Sequence, residues 1–162
     1  MSWREILKKL LASAMEAEDK QIILIGVGNP LRGDDVVGVK IARELESKLK
    51  IEKVKILIVE DRVDLIPSFL KGLNPGLILI FDAADFGGKP GEIKIMSPAE
   101  SSGKTISTHE LPLDLMLRLA EVSAPAYVVG IQISSLGIGE SMNSLVEKAA
   151  EEIVEFLLNI FH

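Results

Sequence analysis

Short apolar runs alternate with helix-like segments along this chain of 162 residues. Runs of this length are typical of strands that are buried on both faces. The fourth of the five runs instead alternates polar and apolar residues, as an edge strand does. The strands are predicted at 21–27, 54–59, 77–81, 92–96 and 127–133. The pattern predicts βαβ units, and hence an α/β fold. We expect a single three-layer αβα domain over 1–162, with a mainly parallel or mixed sheet of about five strands and helices on both faces.

A helical pattern precedes the first predicted strand. Trp3, Ile6, Leu7 and Leu10 fall on one face, and charged residues between them argue against a signal peptide. We expect an additional N-terminal helix over 1–18 that packs on its own molecule, with docking on a partner as the alternative. No apolar run approaches the ~20 residues that span a bilayer. The sequence therefore predicts no membrane association and a cytoplasmic location.

The charge and the cysteine count exclude several kinds of partner and site. A formal net charge of −6 argues against a nucleic-acid-binding protein, which usually carries a basic face. The chain has no cysteine, so disulfides and thiolate chemistry are excluded. Any metal site must then use oxygen and nitrogen ligands. We expect a monomer or a weak oligomer.

The first predicted strand ends in a glycine-rich turn that is followed by two acids, Asp34 and Asp35. Ligands of open α/β folds bind beyond the carboxyl ends of strands, which makes Asp35 a candidate site residue. Alternatively, the two acids cap a helix, or Gly26 and Gly28 cradle a phosphate. The phosphate alternative is weak, because Leu31 occupies the third glycine position of the dinucleotide fingerprint and the P-loop lysine is missing.

Two further residues could join Asp35. Asp82 closes the third predicted strand, and His109 follows a polar segment that is expected to cross the same edge of the sheet. Two carboxylates and one imidazole suit a borderline divalent ion and leave coordination positions for substrate or water. Considered alone, Asp82 could instead form an Asx turn, and His109 could be an ordinary surface residue.

Four sequence blocks, in order, carry a resemblance to one family. The first fits the signature G-x-G-N-x-L-x-x-D-(D/E) and reads Gly26-Val27-Gly28-Asn29-Pro30-Leu31-Arg32-Gly33-Asp34-Asp35. The others are Asp82-Ala83-Ala84-Asp85-Phe86 with Pro90-Gly91-Glu92-Ile93, Ser107-Thr108-His109-Glu110-Leu111-Pro112-Leu113, and Gly130-Ile131-Gln132. Together they resemble the maturation endopeptidases of nickel–iron hydrogenases. The later blocks are most similar to the group that processes formate-hydrogenlyase-type large subunits.

The resemblance implies an activity, a partner and site residues. Such an enzyme removes a C-terminal peptide from the large-subunit precursor of a nickel–iron hydrogenase after nickel insertion. Asp35, Asp82 and His109 would be the catalytic residues and the nickel ligands, and Gly28, Asn29 and Asp34 would bind substrate. Nickel would be supplied by the nickel-loaded precursor, with no permanently bound cofactor. The alternatives are a non-catalytic nickel-recognising or hydrogenase-docking module of this fold, and a phosphate- or nucleotide-binding protein.

The resemblance leaves the chemistry open. The nickel could polarise the scissile carbonyl, activate a water or serve only as a docking mark, while a carboxylate could act as general base. No G-x-S-x-G sequence occurs, which argues against covalent catalysis. Protonation of His109 is expected to weaken metal capture.

The chain departs from the family pattern at two places. Val36 follows the paired acids where relatives often have glycine, and the second strand ends in Glu60-Asp61-Arg62 where relatives often have an acid and glycines. The second departure leaves the shape of that loop unpredicted.

Overall fold

A computed structural model describes residues 1–106, 111–134 and 141–162. In these ranges five strands form one sheet in the order β2-β1-β3-β5-β4. The strands are β1 (Gln21–Val27), β2 (Val54–Glu60), β3 (Pro75–Ala84), β4 (Ile93–Met96) and β5 (Ala126–Gln132). The pairs β1–β2, β1–β3 and β3–β5 are parallel, and β4 lies antiparallel at the edge beside β5. The predicted α/β fold with a mixed sheet of five strands is confirmed.

Helices cover both faces of the sheet, as predicted. They are α1 (Trp3–Glu16), α2 (Val37–Lys48), α3 (Ile66–Leu70), α4 (Pro98–Ser101), α5 (Leu113–Leu119) and α6 (Ser144–Phe161). Helices α1, α2 and α6 share one apolar core with the sheet, and α3 and α5 share the other. Of the helices in the described ranges, none combines the length and the apolar character needed to cross a membrane.

The central strands are apolar on both faces because both faces are covered. On β1, Ile22 and Leu24 belong to the core under α1, α2 and α6, whereas Ile23 and Ile25 belong to the opposite core. All four side chains are fully buried. Burial of each such side chain stabilises the fold by about 2 kcal/mol, so the sheet is held from both sides.

The N-terminal helix packs on its own molecule, as expected. Leu7 and Leu11 are fully buried in the core with α2 and α6. The Trp3 ring meets the Phe156 ring edge to face, with centroids 5.4 Å apart and planes at 74°. Aromatic pairs prefer this geometry, which fixes α1 against the C-terminal helix.

Strand β3 is longer than the sequence predicted. It continues to Ala84, so Asp82 lies within the strand instead of closing it. The reason is the pairing with β5, in which Asp82 lies opposite Gly130 and Ala84 opposite Gln132. These pairings extend β3 beyond Phe81, which is the last residue of β3 in register with β1.

The polar segment after β4 contains a short helix that the sequence pattern did not predict. A capping box starts α4: the Ser97 hydroxyl accepts from the Glu100 N–H at 3.1 Å, and the Glu100 carboxylate accepts from the Ser97 N–H at 3.2 Å. After α4, Thr105 pairs with Ala84 in an isolated antiparallel bridge. The capping box suggested by Ser107 and Glu110 falls on residues outside the described ranges.

Candidate active site

The glycine-rich loop after β1 brings two stretches of backbone into close contact. Gly28 has φ +149°, and a Cβ there would lie 1.9 Å from the carbonyl oxygen of Asp35. Its N–H donates to the carbonyl of Glu60 at 2.9 Å, which ties the loop to the end of β2. Only glycine fits this conformation and spacing. The glycine therefore allows the backbone of the loop to approach the backbone of Asp35 closely.

Asp35 lies where this loop turns into α2. It belongs to a 3-10 turn over Gly33–Val36, and its side chain is almost fully buried. Its Oδ2 accepts a hydrogen bond from the Asn29 N–H at 3.1 Å. Asn29 and Asp35 both line a cleft of about 660 Å³.

The cleft carries charged side chains of both signs. Its other lining residues come mainly from the loops after β1, β2 and β3 and from the segment after α4: Arg32, Asp61, Val63, Asp85, Gly103, Lys104, Thr105, Ile106 and Leu111. A peptide offers charged side chains and backbone hydrogen-bonding groups to such a surface. The cleft therefore suits a polar, extended ligand.

Asp82 lies on the strand next to the one that leads to Asp35. It is fully buried on β3, whose Phe81 is in register with Gly26 of β1. Alternation along the strand places Asp82 on the face of Ile78 and Ile80, which is the face covered by α3 and α5. Val63, which belongs to that same face, lines the cleft. Asp82 and Asp35 thus lie toward one end of two adjacent strands.

Asp34 makes contacts unlike those of its neighbour. Its Oδ2 accepts from the Ser134 N–H at 2.7 Å and the Ser134 hydroxyl at 2.9 Å, and its Oδ1 accepts from the Asn143 N–H at 2.7 Å. The carboxylate is fully buried. It joins the turn before α2 to the chain after β5 and to the N-cap residue of α6, which is a structural task that the sequence did not predict.

The loop after β2 has a shape that the family pattern left open. Glu60 has a positive φ of 55°, and its carboxylate meets Arg43 of α2 at 3.4 Å. Beyond it, the Arg62 guanidinium donates to both oxygens of Asp64, at 3.0 and 2.9 Å. These hydrogen bonds lower the pKa of Asp64 and raise that of Arg62. Paired side chains therefore shape this loop.

Two residues in and beside the cleft were not selected as site residues from the sequence. Asp85 follows β3 and lines the cleft, and the buried Gln132 amide donates to its Oδ1 at 3.0 Å. This hydrogen bond and a second from the Gly87 N–H lower the pKa of Asp85. Both residues lie in blocks that carry the family resemblance, but their pairing is visible only in the fold.

The predicted site is only partly within the described ranges. His109 falls outside them, so its position relative to Asp35 and Asp82 is not described. Within the described ranges alone, no three His, Asp or Glu side chains are arranged to hold a metal ion. The structure thus places Asn29 and Asp35 in the cleft, Asp82 on the adjacent strand and Asp34 in contact with α6.

Comparison with known proteins identifies a family. The profile of the family described as HycI hydrogenase maturation protease matches residues 39–160. The Hydrogenase 3 maturation protease of Escherichia coli is 30% identical over 137 residues, which cover 83% of this chain and 87% of that protein.

Solved structures give the same result. The crystal structure of a [NiFe] hydrogenase maturation protease HycI from Thermococcus kodakarensis superposes with a TM-score of 0.71 at 30% identity, covering 93% of this chain and 97% of that one. The solution structure of the endopeptidase HycI from Escherichia coli gives 0.74 at 26% identity, covering 83% and 87%.

Proposed function

Since the chain belongs to the hydrogenase maturation protease family, we propose that it removes a C-terminal peptide from a nickel-loaded large-subunit precursor of a nickel–iron hydrogenase. Because the family is one of peptidases, the non-catalytic docking module and the nucleotide-binding protein are no longer the favoured interpretations. What is proposed beyond the family is the role of nickel and of individual residues.

The position of Asp35 is the observation that carries the proposal. Its buried carboxylate lies at the cleft, directly after the loop that leaves β1. The strand order reverses direction between β1 and β3, since β2 lies on one side of β1 and β3 on the other. Open α/β sheets bind ligands at such a switch point. Asp82 lies on β3, on the other side of this switch point.

We propose that Asp35, Asp82 and His109 bind the nickel that the precursor carries. Carboxylate oxygen and imidazole nitrogen are suitable ligands for this borderline ion. Nickel would then belong to the substrate and the enzyme would keep no metal of its own. The same three residues are proposed as the catalytic set, because a nickel held there places the adjoining peptide of the precursor in the cleft.

The loop residues divide into two tasks under this proposal. Asn29 lines the cleft and is proposed to contact the precursor. Gly28 and Asp34, which were predicted with it as substrate-binding residues, are proposed to support binding by holding the loop in place. We also propose that the enzyme acts in the cytoplasm, as a monomer or weak oligomer.

Processing of a nickel-loaded precursor, followed by mass spectrometry, tests these roles. The unaltered chain is expected to shorten the precursor by a C-terminal peptide. Asp35→Asn, Asp82→Asn and His109→Ala are each expected to abolish processing. Asp19→Asn and His162→Ala provide matched controls, because both residues are outside the site and their variants should process at the normal rate.

Each contrary outcome identifies the part that fails. Full activity of a site variant removes that residue from the catalytic set. A precursor that binds the unaltered chain but stays at full mass would favour the docking module and overturn the peptidase proposal. Urea unfolding of each variant, with a free energy close to that of the unaltered chain, shows that a loss of activity is not a loss of fold.

A further inference from the structure

Gln132 carries a buried amide that hydrogen-bonds the loop after β3, where Asp85 lines the cleft. It is the last residue of β5 and is 4% exposed. Its side chain makes four hydrogen bonds: Oε1 accepts from the N–H groups of Phe86 and Gly88, at 2.9 and 3.0 Å, and Nε2 donates to Asp85 Oδ1 at 3.0 Å and to the Ile133 carbonyl at 3.3 Å.

This network admits one orientation of the amide. A glutamine side chain offers two donors and two acceptor lone pairs, and all four are used here. A flipped amide would direct its NH₂ group at two backbone N–H donors and its oxygen at two acceptors. The orientation that donates to Asp85 is therefore fixed by the backbone of the loop itself.

The backbone of Gln132 is anchored as firmly as its side chain. Its N–H donates to the Glu92 carbonyl at 2.8 Å, and its carbonyl accepts from the Gly91 N–H at 2.9 Å. It also lies opposite Ala84, the last residue of β3. A rigid strand end thus holds the loop 85–88. A loop that is held in this way positions a side chain more precisely than a loop without such support.

The group that Gln132 holds is a charged acceptor in the cleft. The Asp85 side chain is exposed and lines the same cleft as Asp35. Its main-chain N–H donates to the Lys104 carbonyl at 2.8 Å, and the next N–H, that of Phe86, donates to Gln132, so the backbone on both sides of the carboxylate is held. The hydrogen bonds from the Gln132 amide and the Gly87 N–H lower the pKa of this carboxyl.

We propose that Gln132 is a positioning residue that presents the Asp85 carboxylate to the hydrogen-bond donors of the precursor peptide in the cleft. The inference rests on the proposed function, which supplies the peptide. Asp85 would bind the peptide, and Gln132 would act only through Asp85. Both residues would govern the affinity for the precursor more than the rate of the chemical step.

Steady-state processing of the precursor by two single variants tests the pair. Asp85→Asn removes the charge from an exposed side chain, and Gln132→Glu keeps the size of the amide but replaces the donor to Asp85. Each is expected to raise KM about tenfold or more, as for the loss of a hydrogen bond to a charged group, with kcat within about twofold. Gln21→Glu, at the opposite end of β1, provides the matched control with unchanged constants.

The double variant separates binding from simple loop support. Asp85→Asn with Gln132→Glu exchanges donor and acceptor, so the side chains can again hydrogen-bond while the carboxylate at position 85 is lost. We expect the double variant to be more stable than Gln132→Glu alone, in which two carboxylates face each other, while its KM stays high. A KM restored to that of the unaltered chain would show that the pair only holds the loop and would overturn the inference.

The pKa of Asp85 gives a second test of the pairing. In Gln132→Leu, the NMR-monitored pKa of Asp85 should rise toward its ordinary value of 3.8, and an unmoved pKa would contradict the pairing. Unchanged KM in Asp85→Asn overturns this inference while leaving the proposed function intact. Absence of cleavage by the unaltered chain overturns the proposed function, and this inference with it.

Discussion

At the scale of single residues, two adjacent acids have separate environments. Asp34 accepts hydrogen bonds from Ser134 and Asn143, whereas Asp35 accepts from Asn29 and lines the cleft. The 3-10 turn that carries them explains the divergence, because successive side chains in such a turn differ by about 120° in direction. The paired acids of the family signature thus combine one structural carboxylate with one at the site.

The structural task of Asp34 leads to a stability prediction. Asp34→Ala leaves the donors of Ser134 and Asn143 without their acceptor in a buried place. We expect the free energy of unfolding to fall by about 2–4 kcal/mol, measured by urea denaturation. Asp61→Ala, at an exposed acid, should change it by less than about 0.5 kcal/mol. An Asp34→Ala variant as stable as the unaltered chain would contradict a linking role for this carboxylate.

Sequence reasoning reached some site residues and not others. Asp35 could be predicted from the sequence because it follows an apolar strand and a glycine turn, and such a junction has few geometries. The links from Asp34 to Ser134 and from Gln132 to Asp85 could not be predicted, since they join residues far apart in the chain. The signal that the sequence offered for Gln132 was its place in the block Gly130-Ile131-Gln132, which carries the family resemblance.

At the scale of elements, the packing of α2 against the sheet depends on one glycine. A Cβ at Gly38 would lie 2.1 Å from the Phe81 carbonyl oxygen and 2.4 Å from that of Val27. Both obstacles are backbone atoms of central strands, which have little freedom to shift. The first turn of α2 therefore rests directly on β1 and β3, which positions the 3-10 turn with Asp35 at their carboxyl ends. Val36, at which the chain departs from the family pattern, takes no part in this contact between Gly38 and the strands.

This contact reverses the usual effect of a glycine substitution in a helix. Alanine is favoured over glycine in a helix by up to about 1 kcal/mol, yet Gly38→Ala is expected to destabilise the fold by about 3 kcal/mol through overpacking. Gly72→Ala is the control, because Gly72 has a φ of +83° but open space around it. That variant should cost only about 1 kcal/mol. Equal urea midpoints for Gly38→Ala and the unaltered chain would contradict the close contact.

The elements that sequence predicted well are those whose pattern is set by local burial. Strand β1 was predicted with its observed bounds, since a fully buried parallel strand is apolar at every position. The extension of β3 to Ala84 was missed because it depends on pairing with β5, which lies far along the chain. Helix α4 was missed because one turn is too short to show a helical period.

At the scale of the whole molecule, topology decides where the site lies. Strand order β2-β1-β3-β5-β4 places the switch point between β1 and β3, and the loops that leave these two strands carry Asp35 and Asp85. Asp82 occupies β3 itself. Acids that are far apart in sequence therefore converge on one edge of the sheet. This edge offers a charged cleft, where we propose that the nickel of a precursor is recognised.

The dependence of processing on nickel tests that central claim most directly. The initial rate of processing by the unaltered chain is measured by mass spectrometry on two samples of one precursor, nickel-loaded and nickel-free. We predict loss of the C-terminal peptide from the loaded sample only, with cleavage of the other restored once nickel has been inserted into it. Equal rates on the loaded and nickel-free precursors would contradict nickel recognition by Asp35, Asp82 and His109.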